Sequence, residues 1–232
     1  MAELHTSRNA LALALDVDDE VVAMQLAHEL MPWFGTMKVG LELFTAVGPS
    51  IIPRLCDLGV NVFLDLKMVD IPNTVRKAAT VAGSLGASYL TMYAHGGPEM
   101  LRAGTEGMLE GAALAGLPEP TPLAVTVLTS DGDAPAHILG SRLRIAMEGG
   151  CRGVVCAASD LAEVRMLAPR MVRVVPGIRP KDALPNDQAR PATPSEARSA
   201  GANLLVVGRA ITAAPDRVAA SIAIADEVAA AD

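Results

Sequence analysis

The sequence is poor in aromatic residues, in cysteine and in positive charge. Aromatic residues make up 3% of the 232 residues, and the formal net charge at pH 7 is −7. Nucleic acids bind to cationic grooves, and single strands also stack on aromatic rings, so this composition argues against nucleic-acid binding. Cys56, Cys151 and Cys156 contain no C-x-x-C spacing, which favours small buried residues in a reducing compartment over a metal or redox site.

The sequence also lacks a long apolar segment without interruptions. The longest uncharged stretch, residues 78–98, contains four glycines together with polar serine and threonine, so no membrane-spanning helix is expected. Residues 1–10 contain Glu3 and no apolar core, so no signal peptide is expected. The expected location is the cytoplasm.

Apolar residues are abundant, at 51%, and the mean hydropathy is +0.34. A chain of this length and composition buries enough surface to fold without disulfides or metals. Short apolar runs alternate eight times with longer segments of helical periodicity. The predicted strands are residues 11–15, 36–39, 60–64, 89–93, 123–128, 153–156, 172–175 and 204–207.

The segments between these strands carry apolar residues at helical spacing. The clearest examples are the sets Val22, Leu26, Leu30 and Ile71, Val75, Ala79. Eight strand–helix units of about 29 residues match a (β/α)8 barrel, whose parallel strands are buried on both faces. An open doubly wound sheet is the alternative, but no G-x-G-x-x-G follows the first strand. We therefore expect residues 1–232 to form a single-domain (β/α)8 TIM barrel.

Charged residues lie at the ends of the first three predicted strands. Asp16 follows the first strand, Lys38 lies in the second, and Asp65 and Lys67 follow the third, with Asp70 just beyond. Catalytic groups of a barrel lie at this rim, and residues two apart in a strand point to the same side. Alternating charges there favour both charged forms, so Lys67 could donate a proton to a carbanion. A structural salt bridge between Lys67 and Asp65 is the alternative.

The loops after the seventh and eighth strands each combine glycine with arginine. Pro176, Gly177 and Arg179 belong to the first loop, and Gly208 and Arg209 to the second. Glycine permits close approach of the backbone, and the arginine fork matches phosphate oxygens, so these loops predict a phosphate site. Cations at the mouth of an acidic protein favour a small anionic ligand over a polyanion.

Longer motifs resemble the orotidine 5'-monophosphate decarboxylase family. The most specific is DLKMVDIPNT at residues 65–74, which fits D-x-K-x-x-D-I-P-N-T. Val69 departs from many bacterial members, which have histidine at this variable position. The other motifs extend over nearly the whole chain: LALALDVDD at 11–19, KVGLELF at 38–44, HGG at 95–97, VTVLTS at 125–130, PGIRP at 176–180, DQAR at 187–190 and VVGRAIT at 206–212.

The resemblance implies decarboxylation of orotidine 5'-phosphate to uridine 5'-phosphate in de novo pyrimidine biosynthesis, without metal or organic cofactor. Lys67 would protonate the carbanion at pyrimidine C6, within a charged network that includes Lys38, Asp65 and Asp70. The implied substrate contacts are Asp16 and Lys38 on the ribose, Thr129 and Ser130 on the pyrimidine, and Arg179, Gln188, Gly208 and Arg209 on the phosphate, with Pro176 in the same loop.

A homodimer is implied as well, because the second aspartate of the motif reaches the neighbouring subunit in this family. Asp70, Ile71 and Thr74 would then complete the partner's active site. No nucleic acid or membrane is an expected partner.

Three alternatives remain at this point. A Mg²⁺-dependent sugar-phosphate decarboxylase, similar to 3-keto-L-gulonate 6-phosphate decarboxylase, shares D-x-K-x-x-D but has glutamate in place of Lys38, where a cation repels a divalent metal. A metal-dependent pentose-phosphate epimerase is disfavoured because His95 is the one histidine at a predicted strand end, where we expect it to be packed or hydrogen-bonded. The last alternative is a catalytically silent barrel that binds phosphate.

Overall fold

The apolar runs of the sequence form eight parallel strands in the computed structural model, which describes residues 7–128, 137–180 and 192–231. Each strand pairs with the next, and the eighth pairs with the first, so the sheet is closed. The predicted (β/α)8 barrel is confirmed. The strands are β1 (Leu11–Ala14), β2 (Thr36–Val39), β3 (Asn61–Met68), β4 (Ala87–Tyr93), β5 (Thr121–Val125), β6 (Gly153–Val155), β7 (Val172–Ile178) and β8 (Leu204–Val207).

Helices connect the strands and surround the barrel. Asp19 begins the first helix by accepting a hydrogen bond from the backbone N–H of Val22, which satisfies one free donor of the first turn. The described helices are α1 (Glu20–Leu30), α2 (Leu41–Val47), α3 (Ile51–Cys56), α4 (Pro72–Ser84), α5 (Pro98–Leu114), α6 (His137–Glu148), α7 (Leu161–Leu167), α8 (Pro194–Ser199), α9 (Arg209–Thr212) and α10 (Arg217–Ala229).

The core has two parts, one on each face of the closed sheet. A small cluster that includes Ala12, Phe63, Leu123 and Val206 fills the inside of the barrel. A much larger cluster fills the space between the strands and the helices. Because the strands are buried on both faces, they read as nearly continuous apolar runs in the sequence.

Both helices that were predicted from apolar spacing are present. In each of them, however, the first residue of the predicted apolar face is exposed. Val22 is 42% exposed, and Ala23 is buried in its place. Ile71 is 66% exposed, whereas Val75 and Ala79 are buried. The reason at Ile71 is the proline at the first position of α4, which leaves Ile71 as the residue before the helix.

Three strands are longer than predicted: β4 begins two residues earlier, at Ala87, whereas β3 and β7 extend into the rim of the barrel. β3 continues to Met68 and β7 continues to Ile178. The pairing register of each strand with its neighbour shifts within its extension. β5 is shorter than predicted and ends at Val125. Local apolar runs locate the strands, but tertiary pairing decides where they end.

The described residues contain neither a membrane-spanning helix nor a cluster of metal ligands. No helix among them combines the length and apolarity needed to cross a membrane. No group of three or more His, Cys, Asp or Glu side chains among them is arranged to hold a metal ion. Cys56, Cys151 and Cys156 form no disulfide, and Cys151 and Cys156 are buried while Cys56 is partly buried.

Candidate active site

A cavity of about 370 Å³ opens at the carboxyl ends of the strands. This volume lies within the range of small-molecule sites. Apolar side chains that include Phe63, Val125 and Val155 form part of its wall. Its charged lining residues are Asp16, Lys38, Asp65, Lys67, Arg179 and Arg209.

The charges from β1, β2 and β3 form a row of alternating sign. The Lys38 ammonium lies 2.9 Å from Asp16 Oδ1 and 3.8 Å from Asp65 Oδ2. The Lys67 ammonium donates to both carboxylate oxygens of Asp65, at 2.9 and 3.0 Å. Side-chain exposure is 11% at Lys38 and 14% at Asp65. The opposite charges offset part of the cost of removing each group from water.

Lys67 reaches this row from an unusual backbone conformation. Its φ angle is +50°, the one positive φ of a non-glycine residue in the described part of the chain. Regular strand alternation predicts that Asp65 and Lys67 point to the same side, and both do line the cavity. The strand is irregular there, however, because the β3–β4 register shifts between Leu64 and Met68. The Lys67 side chain therefore reaches the cavity from an irregular part of β3.

Two residues that were not predicted to belong to the site affect the geometry of the row. Thr91, in β4, accepts a hydrogen bond from the backbone N–H of Lys67 and donates one to Asp65 Oδ1, each at 2.9 Å. Gly40 follows β2, and a Cβ atom there would lie 3.0 Å from the Lys38 Nζ and 3.2 Å from Asp16 Oδ1. The available signals were a polar residue within the apolar run of β4 and a glycine directly after a strand.

Asp70 does not join the row within one chain, and its predicted place in the charged network is in the site of a neighbouring subunit. Its side chain is exposed and accepts a hydrogen bond from the backbone N–H of Ile71 at 2.6 Å. Ile71 and Thr74 are exposed beside it. These residues follow β3 and lie at the start of α4, outside the cavity lining. They form an exposed rim next to the site.

The two glycine–arginine loops meet at the cavity. Pro176, Gly177 and Arg179 line it from β7, and Gly208 and Arg209 line it from the end of β8. Gly177 has a φ angle of +77°, a conformation that favours glycine. The two guanidinium groups bring positive charge to the same cavity as the row of acids and lysines. Thr129, Ser130 and Gln188 lie outside the described residues.

His95, which was predicted to be packed or hydrogen-bonded, is exposed but contacts an aromatic ring. Its ring lies edge-on to Tyr93, with 5.5 Å between the ring centroids. The 3-10 helix that carries it, Ala94–Gly96, follows β4 directly. His95 is not a cavity-lining residue.

Comparison with known proteins gives concordant results. The chain matches the model of the Orotidine 5'-phosphate decarboxylase / HUMPS family over residues 9–224. It is 41% identical to the orotidine 5'-phosphate decarboxylase of Moorella thermoacetica, across 98% of this chain and 95% of that protein. It is 44% identical to the enzyme of the same name from Anaeromyxobacter dehalogenans, across 93% of this chain and 96% of that protein.

A solved structure agrees with these sequence relatives. The crystal structure of orotidine 5'-phosphate decarboxylase from Lactobacillus acidophilus matches with a TM-score of 0.79 and 35% identity. The match covers 95% of this chain and 99% of that chain.

Proposed function

Since the chain belongs to the Orotidine 5'-phosphate decarboxylase / HUMPS family, we propose that it converts orotidine 5'-phosphate to uridine 5'-phosphate and CO₂. This makes it a decarboxylase, a carbon–carbon lyase, acting in de novo pyrimidine biosynthesis. The observation that carries the proposal is the row Asp16, Lys38, Asp65, Lys67, which alternates in charge along the wall of the cavity.

Lys67 is the proton donor in the proposed reaction. Loss of CO₂ breaks the bond between the carboxylate carbon and C6 of the pyrimidine, and the electron pair stays on C6. The Lys67 ammonium transfers one proton to C6, which forms the new C–H bond, and the resulting amine regains a proton from water. The Lys67 side chain is 33% exposed, so its ammonium is accessible from the cavity while Asp65 holds it.

Asp65 and the two lysines supply the electrostatic part of the proposal. At 4 Å and an effective dielectric constant near 20, two unit charges interact by about 4 kcal/mol. The repulsion between Asp65 and the substrate carboxylate is an energy of this magnitude, and so is the attraction between Lys67 and the carbanion. We assign the larger share of the catalysis to stabilisation of the carbanion, because the charges are already arranged before the substrate binds.

The remaining site residues receive the roles that the family resemblance implies. Asp16 and Lys38 contact the ribose hydroxyls. Thr129 and Ser130 are assigned to the pyrimidine. The phosphate contacts are Arg179, Gln188, Gly208 and Arg209, with Pro176 beside them. In support, Arg179 and Arg209 line the same cavity as Lys67, so one nucleotide monophosphate can engage both the arginines and the lysine. Binding energy from the distant phosphate then contributes to the chemical step.

The proposed reaction uses neither a metal ion nor an organic cofactor. The Lys38 ammonium lies between the carboxylates of Asp16 and Asp65. This positive charge repels a divalent cation from the two acids that would otherwise attract it. A Mg²⁺-dependent sugar-phosphate decarboxylase would have a carboxylate at this position, so the orotidine 5'-phosphate reaction is favoured.

We further propose a cytoplasmic homodimer with shared active sites. Asp70, Ile71 and Thr74 lie exposed on the rim beside the cavity. Val69 adds an apolar side chain that is 51% exposed, and Ile71 one that is 66% exposed. An exposed apolar pair beside a charged residue suits a contact with a second copy of the chain, whose site Asp70 would complete. The free thiols suit a reducing compartment.

Turnover of orotidine 5'-phosphate by metal-free protein tests the activity. The wild-type protein, treated with EDTA, should change the pyrimidine absorbance on addition of the substrate. Lys67→Ala should lower kcat at least about 100-fold, the usual contribution of a general acid. Lys77→Ala, at an exposed position on α4, is the matched control and should keep normal turnover. Near-normal kcat in Lys67→Ala, or activity that requires added Mg²⁺, would contradict the proposal.

Subunit exchange tests the shared site. Lys67→Ala and Asp70→Ala should each be inactive alone, because each removes one group from every site. Heterodimers formed by exchange should contain one intact site and recover part of the wild-type activity. Verified exchange with no recovery of activity would show that Asp70 acts in its own subunit or not at all.

A further inference from the structure

Thr91 lies behind the charged row rather than in it. Its side chain is fully buried in β4, and it does not line the cavity. Its hydroxyl nevertheless makes two hydrogen bonds to the row: it accepts from the Lys67 backbone N–H and donates to Asp65 Oδ1, each at 2.9 Å. One buried hydroxyl therefore links the two residues on which the proposed proton transfer depends.

The direction of these hydrogen bonds is determined by chemistry. A backbone N–H can only donate, so the hydroxyl oxygen must be the acceptor for Lys67. The single hydroxyl proton is then left for the carboxylate oxygen of Asp65. Because the Lys67 ammonium also donates to Asp65 Oδ1, at 2.9 Å, the contacts form a closed loop. The loop runs from the Lys67 main chain through Thr91 and Asp65 back to the Lys67 ammonium.

This loop of hydrogen bonds supports the irregular backbone of β3 at Lys67. A left-handed backbone is uncommon for lysine, and such conformations persist when surrounding contacts hold them in place. The register shift between β3 and β4 removes Lys67 from the regular ladder of the sheet. The Thr91 hydroxyl takes the place of a strand partner for the Lys67 N–H. The same hydroxyl orients the carboxylate that the Lys67 ammonium contacts.

We propose that Thr91 is a positioning residue, which holds the Lys67 ammonium and the Asp65 carboxylate in the geometry needed for protonation. It acts through these two residues and does not touch the substrate. The inference rests on the proposed function of Lys67. Its specific consequence is that loss of the hydroxyl lowers kcat and leaves KM nearly unchanged, because the phosphate and ribose contacts lie on other residues.

Two pairs of variants isolate the hydroxyl. Threonine and valine have nearly the same shape, so the first pair compares the wild type with Thr91→Val. Thr91→Ser and Thr91→Ala form the second pair, in which both members lack the methyl group and differ in the hydroxyl. Within each pair, loss of the hydroxyl should lower kcat by about 10- to 100-fold, the effect of losing a hydrogen bond to a charged group. KM should change by less than about threefold, and Thr91→Ser should retain most of the wild-type kcat.

Thr36, in β2, supplies a matched control. Its side chain is also fully buried, and its hydroxyl has no hydrogen-bond partner among the described residues. Thr36→Val is thus the same substitution without the loss of a hydrogen bond, and should leave kcat unchanged. Equal kcat within both Thr91 pairs, an effect confined to KM, or an equal loss of kcat in Thr36→Val would overturn the proposal.

Amide hydrogen exchange separates this inference from the proposed function. The Lys67 N–H should exchange slowly in the wild type and in Thr91→Ser. In Thr91→Val it should exchange at least about tenfold faster, because it has lost its acceptor. Unchanged exchange in Thr91→Val would refute the positioning role, whatever the assay shows. If the exchange rates change as expected but the protein does not turn over orotidine 5'-phosphate, the positioning role stands and the proposed function is wrong.

Discussion

Gly40 shows how a single missing side chain makes room for the charged row. A Cβ atom at this position would lie 3.0 Å from the Lys38 Nζ and 3.2 Å from Asp16 Oδ1. The backbone of Gly40 has a φ angle of −91°, which any residue can adopt. The requirement for glycine is therefore space for the ion pair, and backbone freedom plays no part.

We expect Gly40→Ala to weaken substrate binding. The added methyl group should push the Lys38 ammonium away from Asp16 and disturb the contacts assigned to the ribose. The weakening of one charge-assisted hydrogen bond predicts an increase in KM of up to about tenfold, measured by steady-state kinetics. Gly140→Ala, where the new Cβ would have ordinary contacts at 3.6 Å, is the control. An unchanged KM in Gly40→Ala would show that the Lys38 side chain adapts without cost.

At the level of elements, α4 and α5 pack unusually closely. They follow β3 and β4, the strands that carry Lys67 and Thr91. A Cβ atom at Gly111 would lie 2.0 Å from the Thr80 carbonyl oxygen, and one at Gly107 would lie 2.4 Å from the Arg76 carbonyl oxygen. Real Cβ atoms do not approach backbone atoms so closely, so a substitution must move one helix. Glycines on α5 thus allow the two backbones to touch.

Gly111→Ala should destabilise the protein, although alanine favours a helix more than glycine does. Overpacking against backbone atoms costs about 1 to 3 kcal/mol and exceeds the gain in helix propensity. Gly140→Ala, within α6, should instead stabilise the protein by about 0.5 to 1 kcal/mol, because its new Cβ meets no close neighbour. Urea denaturation measures both free energies of unfolding. Equal stability of the two variants would mean that α4 and α5 separate easily.

The element level also explains the position of Asp70. Strand β3 carries Asp65 and Lys67 into the cavity, but the chain then turns into α4, and Asp70 is left on the exposed rim. Because the three residues are close together in the sequence, they were predicted to belong to one charged network. The turn between strand and helix separates them within one chain, which agrees with the family resemblance that assigns Asp70 to the site of a neighbouring subunit.

At the scale of the whole molecule, a buried thiol links stability to pH. Cys151 is buried in the connection between α6 and β6, and its Sγ lies 3.8 Å from the hydroxyl of Thr105 on α5. Burial raises the pKa of Cys151 to about 12, from 9.0, because the thiolate loses its hydration. Between these two pH values the unfolded chain releases the proton while the folded protein retains it. Stability is therefore unaffected at neutral pH and falls as the pH rises above about 9.

We expect Cys151→Ala to reduce this alkaline loss of stability. Between pH 8 and pH 10 the wild-type free energy of unfolding should fall by about 1.4 kcal/mol more than that of the variant, the linkage value for one proton released across that window. Urea denaturation at several pH values, compared with the same series for the variant, measures the difference. Parallel curves for the two proteins would show that the Cys151 thiol ionises equally in the folded and unfolded states.

The barrel and the kinds of charge at its rim follow from local patterns in the amino-acid sequence. Alternation of apolar runs with helical segments is a local pattern, and so is the position of Asp16, Lys38, Asp65 and Lys67 at strand ends. Parallel strands bring those ends to one side of the molecule. The charged row could therefore be anticipated before any distance was known, and so could the two arginines of the late loops.

The contacts that hold the row in place arise from the three-dimensional fold and could not be read from the sequence. The left-handed conformation of Lys67, the two hydrogen bonds of Thr91 and the space beside Gly40 depend on residues 22 to 26 positions apart in the chain. Such residues meet only when neighbouring strands pair, and local propensity carries no information about the irregular register between β3 and β4. Pairing of β1 with β2 and of β3 with β4 brings them together, and their contacts then impose a conformation that lysine seldom adopts.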